Sequence, residues 1–183
     1  IPGLEICNLL EDYHILGIDL KEAINPNQNA GGVIHEIHQQ GGLAIASHPP
    51  LKLSYFLNGD KESIRRHPLH LWKHRERYSD QIDAWEIANR EDLFGIVGLE
   101  RFPYVANSDF HKPAHIISWK SMIYAEKDKE ALKRAIVRRK VALFFFGGTE
   151  GNGNVARIMP PEKTRMGEED GMKAMAGAKI LIV

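Results

Sequence analysis

Apolar positions along the 183 residues fall into short runs separated by turn formers, and an ionisable side chain stands within or just beyond several of them. Residues 4–9 mix apolar side chains around Glu5 behind a Pro2-Gly3 turn, which predicts a short strand. Residues 14–18, His-Ile-Leu-Gly-Ile, predict a second strand, followed by a short helix from Asp19. Residues 30–40 predict a helix that stops at Gly41-Gly42, where left-handed backbone costs little. The run 43–46 predicts a strand that Ser47-His48-Pro49-Pro50 ends abruptly, with Pro49 steering His48 away from helical backbone. Helix, glycine, strand and histidine in this order are what a β/α protein produces.

Residues 51–79 form a longer excursion with helical parts. Asp60 can cap a helix, Pro68 interrupts it, and Leu69, Leu71 and Trp72 supply apolar contacts to its second part. Residues 82–87 alternate as a further strand ending at Ala88-Asn89-Arg90, and Asp83 and Glu86 are expected to add polarity to the end that carries His48. Residues 91–94 predict a helical turn broken by Gly95 or Gly98, and residues 102–106 a strand that leads into Ser108-Asp109-Phe110-His111. A strand over 121–125, an amphipathic helix over 127–139 and a strongly apolar strand over 141–146 follow. The Gly-rich residues 147–154 lack the Lys-Ser/Thr pair of a phosphate loop, and a charged stretch then precedes a terminal strand over 179–183.

Composition narrows the function classes. A hydrophobic content of 43% supports one substantial core. Lys plus Arg and Asp plus Glu balance at 24 each, so no global charge draws the chain to nucleic acid or an acidic membrane. The basic side chains that do cluster, including Lys61, Arg65, Arg66, Lys73, Arg75 and Arg77, make either a solvated helix face or an attractor for an anionic substrate. On the second reading Arg65, Arg66 and Lys73 are the candidate substrate contacts. The single Cys7 excludes an intrachain disulfide and suits a reducing compartment. With no apolar run of membrane-spanning length and no basic-then-apolar leader, a cytoplasmic protein without membrane contact is expected.

The chemistry gathers in Val105-Ala-Asn-Ser-Asp-Phe-His111. Side chains two apart on an extended segment share a side, so Asp109 and His111 could reach one polar centre. A hard carboxylate oxygen with an imidazole nitrogen suits zinc, manganese or iron better than calcium. Glu5, His14, His48 and Glu86 are delivered from other strands, and each singly also fits a structural role. Together they point to a multinuclear metal site, because β/α folds let loops at strand ends converge without disturbing the core.

Five blocks, Ile1-Pro-Gly-Leu-Glu-Ile6, His14-Ile-Leu-Gly17, Gly41-Gly-Leu-Ala-Ile-Ala-Ser-His-Pro49, Asp83-Ala-Trp-Glu-Ile-Ala-Asn89 and Asn107-Ser-Asp-Phe-His111, closely resemble the C-terminal two-thirds of a PHP domain, the polymerase and histidinol phosphatase superfamily. The resemblance implies a distorted (β/α)7-type barrel in an α/β protein. It spans residues 1–146 as a partial metallophosphoesterase domain, and leaves 147–183 as a Gly-rich linker and C-terminal extension. The family opens with a His-x-His strand that does not precede Ile1, so the chain is expected to derive from a longer parent, with the C-terminal tail, a second chain or an absent N-terminal segment repairing the broken edge and its ligand set.

Carried over motif by motif, the resemblance implies metal ligation by Glu5, His14, His48, Asp109 and His111, with Glu5 bridging. Glu5, Asp109 and His111 are the implied catalytic groups, and Glu86 the implied support behind the ligands. Two or three divalent ions (zinc, manganese or iron) would serve hydrolysis of a phosphomonoester or nucleotide, by attack of a metal-bound hydroxide on phosphorus. The alternatives are a phosphodiesterase or exonuclease acting on a nucleic-acid end, and a noncatalytic structural or interaction module derived from the same fold.

Overall fold

Strand β1 (Gly3–Asn8) turns back into β2 (Tyr13–Ile18) as an antiparallel hairpin in which Ile6 faces Ile15 and Cys7 faces His14. This computed structural model describes residues 1–50, 59, 61–62, 68–90 and 92–146, together with the strands 157–159 and 179–181. The chain divides into two units, Ile1–Ile87 with Phe94–Phe102 and Ala88–Leu93 with Pro103–Val183. Among the described residues no helix is long and apolar enough to cross a membrane.

In the first unit the hairpin sorts its side chains by the strand period. Ile6, Tyr13 and Ile15 are buried, while Glu5, Cys7 and His14 stand on the other side. The hairpin turn is held by Asn8, whose Oδ1 accepts from the N–H groups of Leu10 (2.8 Å) and Glu11 (3.0 Å). Residues 19–29 do not form the expected helix. Asn25 Oδ1 accepts from the Asn27 N–H at 2.9 Å, an Asx turn that competes with helix, and Pro26 lies inside it. The segment is tied down instead by Asn8 Nδ2 and Tyr13 Oη, which donate to Pro26 O and Gln28 O at 2.7 Å each.

Helix α1 (Ala30–Gln39) is capped by Asn29, whose side chain accepts from the Gly32 N–H at 2.9 Å, and buries Ala30, Val33, Ile34 and Ile37. It stops where predicted, at Gly41 with φ 80°. Strand β3 (Leu43–Ala46) pairs antiparallel with β2 and parallel with β4 (Ala84–Asn89), so parallel β/α geometry is realised between β3 and β4 while β1, β2 and β3 run as an antiparallel meander. Every residue of β4 is buried, as expected of a strand covered on both faces. Short helices α2 (His70–Lys73) and α3 (Arg75–Tyr78) fill the end of the excursion, and Trp85 stacks on Phe102 with 4.9 Å between ring centroids. The glycines expected to break structure after residue 94 instead lie within helix α4 (Gly95–Leu99). A Cβ at Gly98 would come within 3.1 Å of the Ile87 side chain, so close approach to β4 is what Gly98 provides.

In the second unit, Ala88 and Asn89 pair with β5 (Asp92–Leu93) where a helical turn was expected. A four-stranded antiparallel sheet is ordered β10 (Lys179–Leu181), β7 (Trp119–Ile123), β8 (Val141–Phe145), β9 (Arg157–Met159). Strand β6 (Tyr104–Asn107) is fastened to β7 by Ser121 Oγ, which accepts from the Ala106 N–H at 2.8 Å and donates to the Ala106 carbonyl at 2.9 Å. Helix α5 (Lys129–Val137) starts at Asp128, whose side chain accepts from the Ala131 N–H at 2.7 Å, and buries Ala135 and Ile136. The protein is thus α/β with mixed strand pairing, and the described strands do not close into a barrel.

Candidate metal centre

Three side chains of the first unit meet because of strand register. Cys7 pairs with His14 across the hairpin, which sets Glu5, two residues back on the same side of β1, diagonal to the imidazole. At the other edge of β2, the Ser47 N–H donates to the His14 carbonyl at 3.2 Å, carrying the end of β3 and hence His48 to the same place. His14 Nδ1 then lies 2.9 Å from Glu5 Oε1 and 3.3 Å from His48 Nε2, and His48 Nε2 lies 3.5 Å from Glu5 Oε1. Glu5, His14 and His48 are the group among the described residues that can hold one ion.

The donor set fits a divalent cation. Ligand atoms at 2.0–2.1 Å from a tetrahedral ion lie roughly 3.3–3.4 Å apart, and cis ligands of an octahedral ion about 3.0 Å apart. The three observed separations, 2.9, 3.3 and 3.5 Å, bracket both values. Two imidazoles with one carboxylate are also the ligand set of zinc sites that keep a fourth position for water or substrate.

Electrostatics in the triad are those of a coupled acid and base. Hydrogen bonds from His14 and then His48 hold the Glu5 carboxyl well below the usual carboxylate range, against the opposing effect of burial. Burial pulls the His14 imidazole down, but hydrogen bonding to Cys7 and Glu5 and their negative charge outweigh it and push the pKa up to about 9. At neutral pH the His14 imidazole therefore carries a proton that an ion would have to displace.

Glu86 stands behind the triad rather than in it. Its carboxylate is wholly buried, accepts a short hydrogen bond from the His48 main-chain N–H, and lies 3.5 Å from Ser47 Oγ. Asp83, expected beside it, is three residues back at the start of the strand, where its Oδ2 accepts from the Ala44 N–H at 2.8 Å and meets His38 Nε2 at 2.8 Å. Lys73 is an exposed residue of α2, and Arg65 and Arg66 lie outside the described residues.

Within the second unit, Asp109 and His111 are brought together with two groups that sequence reasoning left aside, Arg90 and His115. Arg90 Nη2 donates to Asp109 Oδ2 at 2.7 Å and lies 3.3 Å from His111 Nδ1. His111 Nδ1 is 2.8 Å from the Asp109 carbonyl and 3.2 Å from Asp109 Oδ1. The His111 N–H donates to His115 Nδ1 at 3.1 Å. For Arg90 the available signal was its place directly after a buried strand, and for Cys7 its two-residue offset from Glu5.

No family model matches the chain, and no curated protein does. Among solved structures, a two-domain protein from Bacteroides vulgatus, described as containing a predicted PHP-like metal-dependent phosphoesterase, aligns with a TM-score of 0.56 at 19% identity. The alignment covers 78% of this chain and 43% of that one, so the chain spans less than half the length of that protein. At this identity the likeness is one of fold.

Proposed function

We propose that the chain is a divalent-metal-dependent phosphoesterase of PHP type, hydrolysing a phosphomonoester or nucleotide. The observation that carries it is the convergence of one carboxylate and two imidazoles at ion-ligating separations from two paired strands and the turn after a third. The fold likeness to a protein that contains a predicted PHP-like phosphoesterase supports the same class. The strand order is taken as part of a distorted (β/α)7 barrel over residues 1–146, with 147–183 as an extension. Zinc, manganese and iron all suit the donors.

When bound, a divalent ion supplies Lewis-acid polarisation of a phosphoryl oxygen and a lowered pKa for water. The protein's part is to hold and position. Glu5 contributes the negative charge that offsets the ion, and His14 must release its proton before its lone pair can be used. His48 is fixed from behind through its peptide by Glu86. Lys73, with Arg65 and Arg66, is the proposed contact for the substrate's phosphate.

The test is release of inorganic phosphate from p-nitrophenyl phosphate and from a nucleoside monophosphate by the 183-residue chain. Activity should vanish with chelator, return with zinc or manganese, and be lost in Glu5→Gln and His48→Ala. Shortening of oligonucleotide ends without phosphate release from either monoester would replace the phosphomonoesterase by the exonuclease. Metal binding without turnover on any of these substrates would leave the noncatalytic module.

A further inference from the structure

The triad and the Asp-x-His loop differ in one respect that bears on how many ions the chain takes. In the triad, Glu5 Oε1, His14 Nδ1 and His48 Nε2 face one another at 2.9, 3.3 and 3.5 Å, with no fixed cation among them. In the loop, a fixed cation already occupies the donor atoms. Arg90 Nη2 is 2.7 Å from Asp109 Oδ2 and 3.3 Å from His111 Nδ1, so the guanidinium spans the two atoms that an ion would use. His111 Nδ1 also lies 2.8 Å from the Asp109 carbonyl, so the ring nitrogen that faces the carboxylate is already engaged within the loop.

The loop is built to keep this arrangement. Arg90 and Asp109 both hold left-handed backbone, at φ 51° and 44°, a conformation that persists in residues with a side chain only where neighbours enforce it. The Trp119 N–H donates to the Arg90 carbonyl at 3.4 Å. His115 Nδ1 accepts from the His111 N–H at 3.1 Å, which closes the turn between the two motif residues.

We propose that Arg90 takes the place of a metal ion at Asp109 and His111, so that the chain binds one divalent ion rather than two or three. This deepens the proposed metal centre, on which the one-ion count rests. Arg90 itself acts as a positioning residue, holding the carboxylate and excluding a second cation by charge.

The experiment is metal content by mass spectrometry after zinc or manganese loading and gel filtration, for the wild-type chain and three variants. Wild type should carry one ion, Asp109→Asn should still carry one, Arg90→Met should gain a second, and Arg90→Met with Asp109→Asn should return to one. A wild-type chain with two or more ions, one of them lost in Asp109→Asn, would overturn the proposal, and that variant decides it even if Arg90→Met does not fold. An Arg90→Met chain that folds and gains no ion would overturn it equally. Failure of the metal centre itself shows elsewhere, as an unchanged ion count in Glu5→Gln and His48→Ala, while the gain in Arg90→Met still tests the role of Arg90.

Discussion

The main-chain N–H of His48 donates to the carboxylate of Glu86, so a buried acid on β4 fixes the backbone of a candidate ligand that follows β3. His48 holds φ 29° with Pro49 behind it, a conformation that needs enforcement from outside the segment. Because Glu86 lies opposite this turn in the parallel β3–β4 pair, the ladder and the hydrogen bond specify the same register.

Glu86→Ala removes the acceptor and leaves the His48 N–H buried. Outer support of this kind is typically worth 10–100-fold in metal affinity, and an orphaned buried donor costs about 1–3 kcal/mol. Chelator competition should therefore show at least tenfold weaker metal binding in Glu86→Ala, with a lower denaturation midpoint. Glu86→Gln, which keeps an acceptor oxygen, should fall between the two. Equal affinity in all three proteins would show that Glu86 does not hold the ligand.

Metal uptake should depend on pH through His14. Its folded pKa is raised to about 9 from an ordinary 6.5, so in the metal-free protein the imidazole's stabilising contribution is full below about 6.5 and is lost as pH rises through 9. Glu5 is shifted down, so its contribution is present above the ordinary carboxylate range and is lost as pH falls far below it. An ion must displace the His14 proton, so affinity should rise between pH 6.5 and 9 and about one proton should be released per ion at pH 7.5. Calorimetric titration of zinc in buffers of different ionisation enthalpy measures that number directly. Zero proton release at pH 7.5 would remove His14 from the ligand set.

How much of this was legible in the sequence depended on the range of the forces involved. Strand β3 and helix α1 were visible because their limits are set locally, by Gly41 and by the Ser47-His48-Pro49 stop. The segment after Asp19 was misjudged because the side chains of Asn8, Tyr13 and Gln40, distant in sequence, satisfy its backbone in place of helical bonds. Gly98 looked like a breaker, since nothing in its own neighbourhood reveals the Ile87 side chain against it. Glu5, His14 and His48 could be picked out by chemistry, but their antiparallel register across β1, β2 and β3 could not, because strand pairing is nonlocal. Arg90 was passed over for the same reason, its partner Asp109 being 19 residues further on.

Asp83 offers a control that separates fold from site. Its Oδ2 accepts from both the Ala44 N–H and His38 Nε2 at 2.8 Å, tying α1 and the start of β3 to β4. Asp83→Ala should cost about 1–3 kcal/mol, chiefly through the Ala44 N–H, whereas the exposed His38→Ala should cost less than about 1 kcal/mol. Urea denaturation should rank them in that order, with metal stoichiometry unchanged in both. Loss of the ion in Asp83→Ala at temperatures where it remains folded would extend the centre beyond Glu5, His14 and His48.

Lys120 is the clearest case of a group whose burial works against the fold. Only 3% exposed on β7, its ammonium donates to Ser118 Oγ at 3.1 Å and to the Trp119 carbonyl at 3.3 Å, both neutral acceptors. Burial lowers its pKa from the ordinary 10.5, because the charged form loses hydration that these two bonds do not replace. Between the lowered value and 10.5 the unfolded chain binds more protons than the folded one, so this group makes stability rise with pH across that window and level off above it. Lys120→Met keeps the apolar stem and removes the charge. At pH 7 it should raise the melting temperature, and the difference from wild type should shrink as pH approaches 10.5. A lower melting temperature with an unchanged pH dependence would mean that the two hydrogen bonds outweigh the desolvation of the amine.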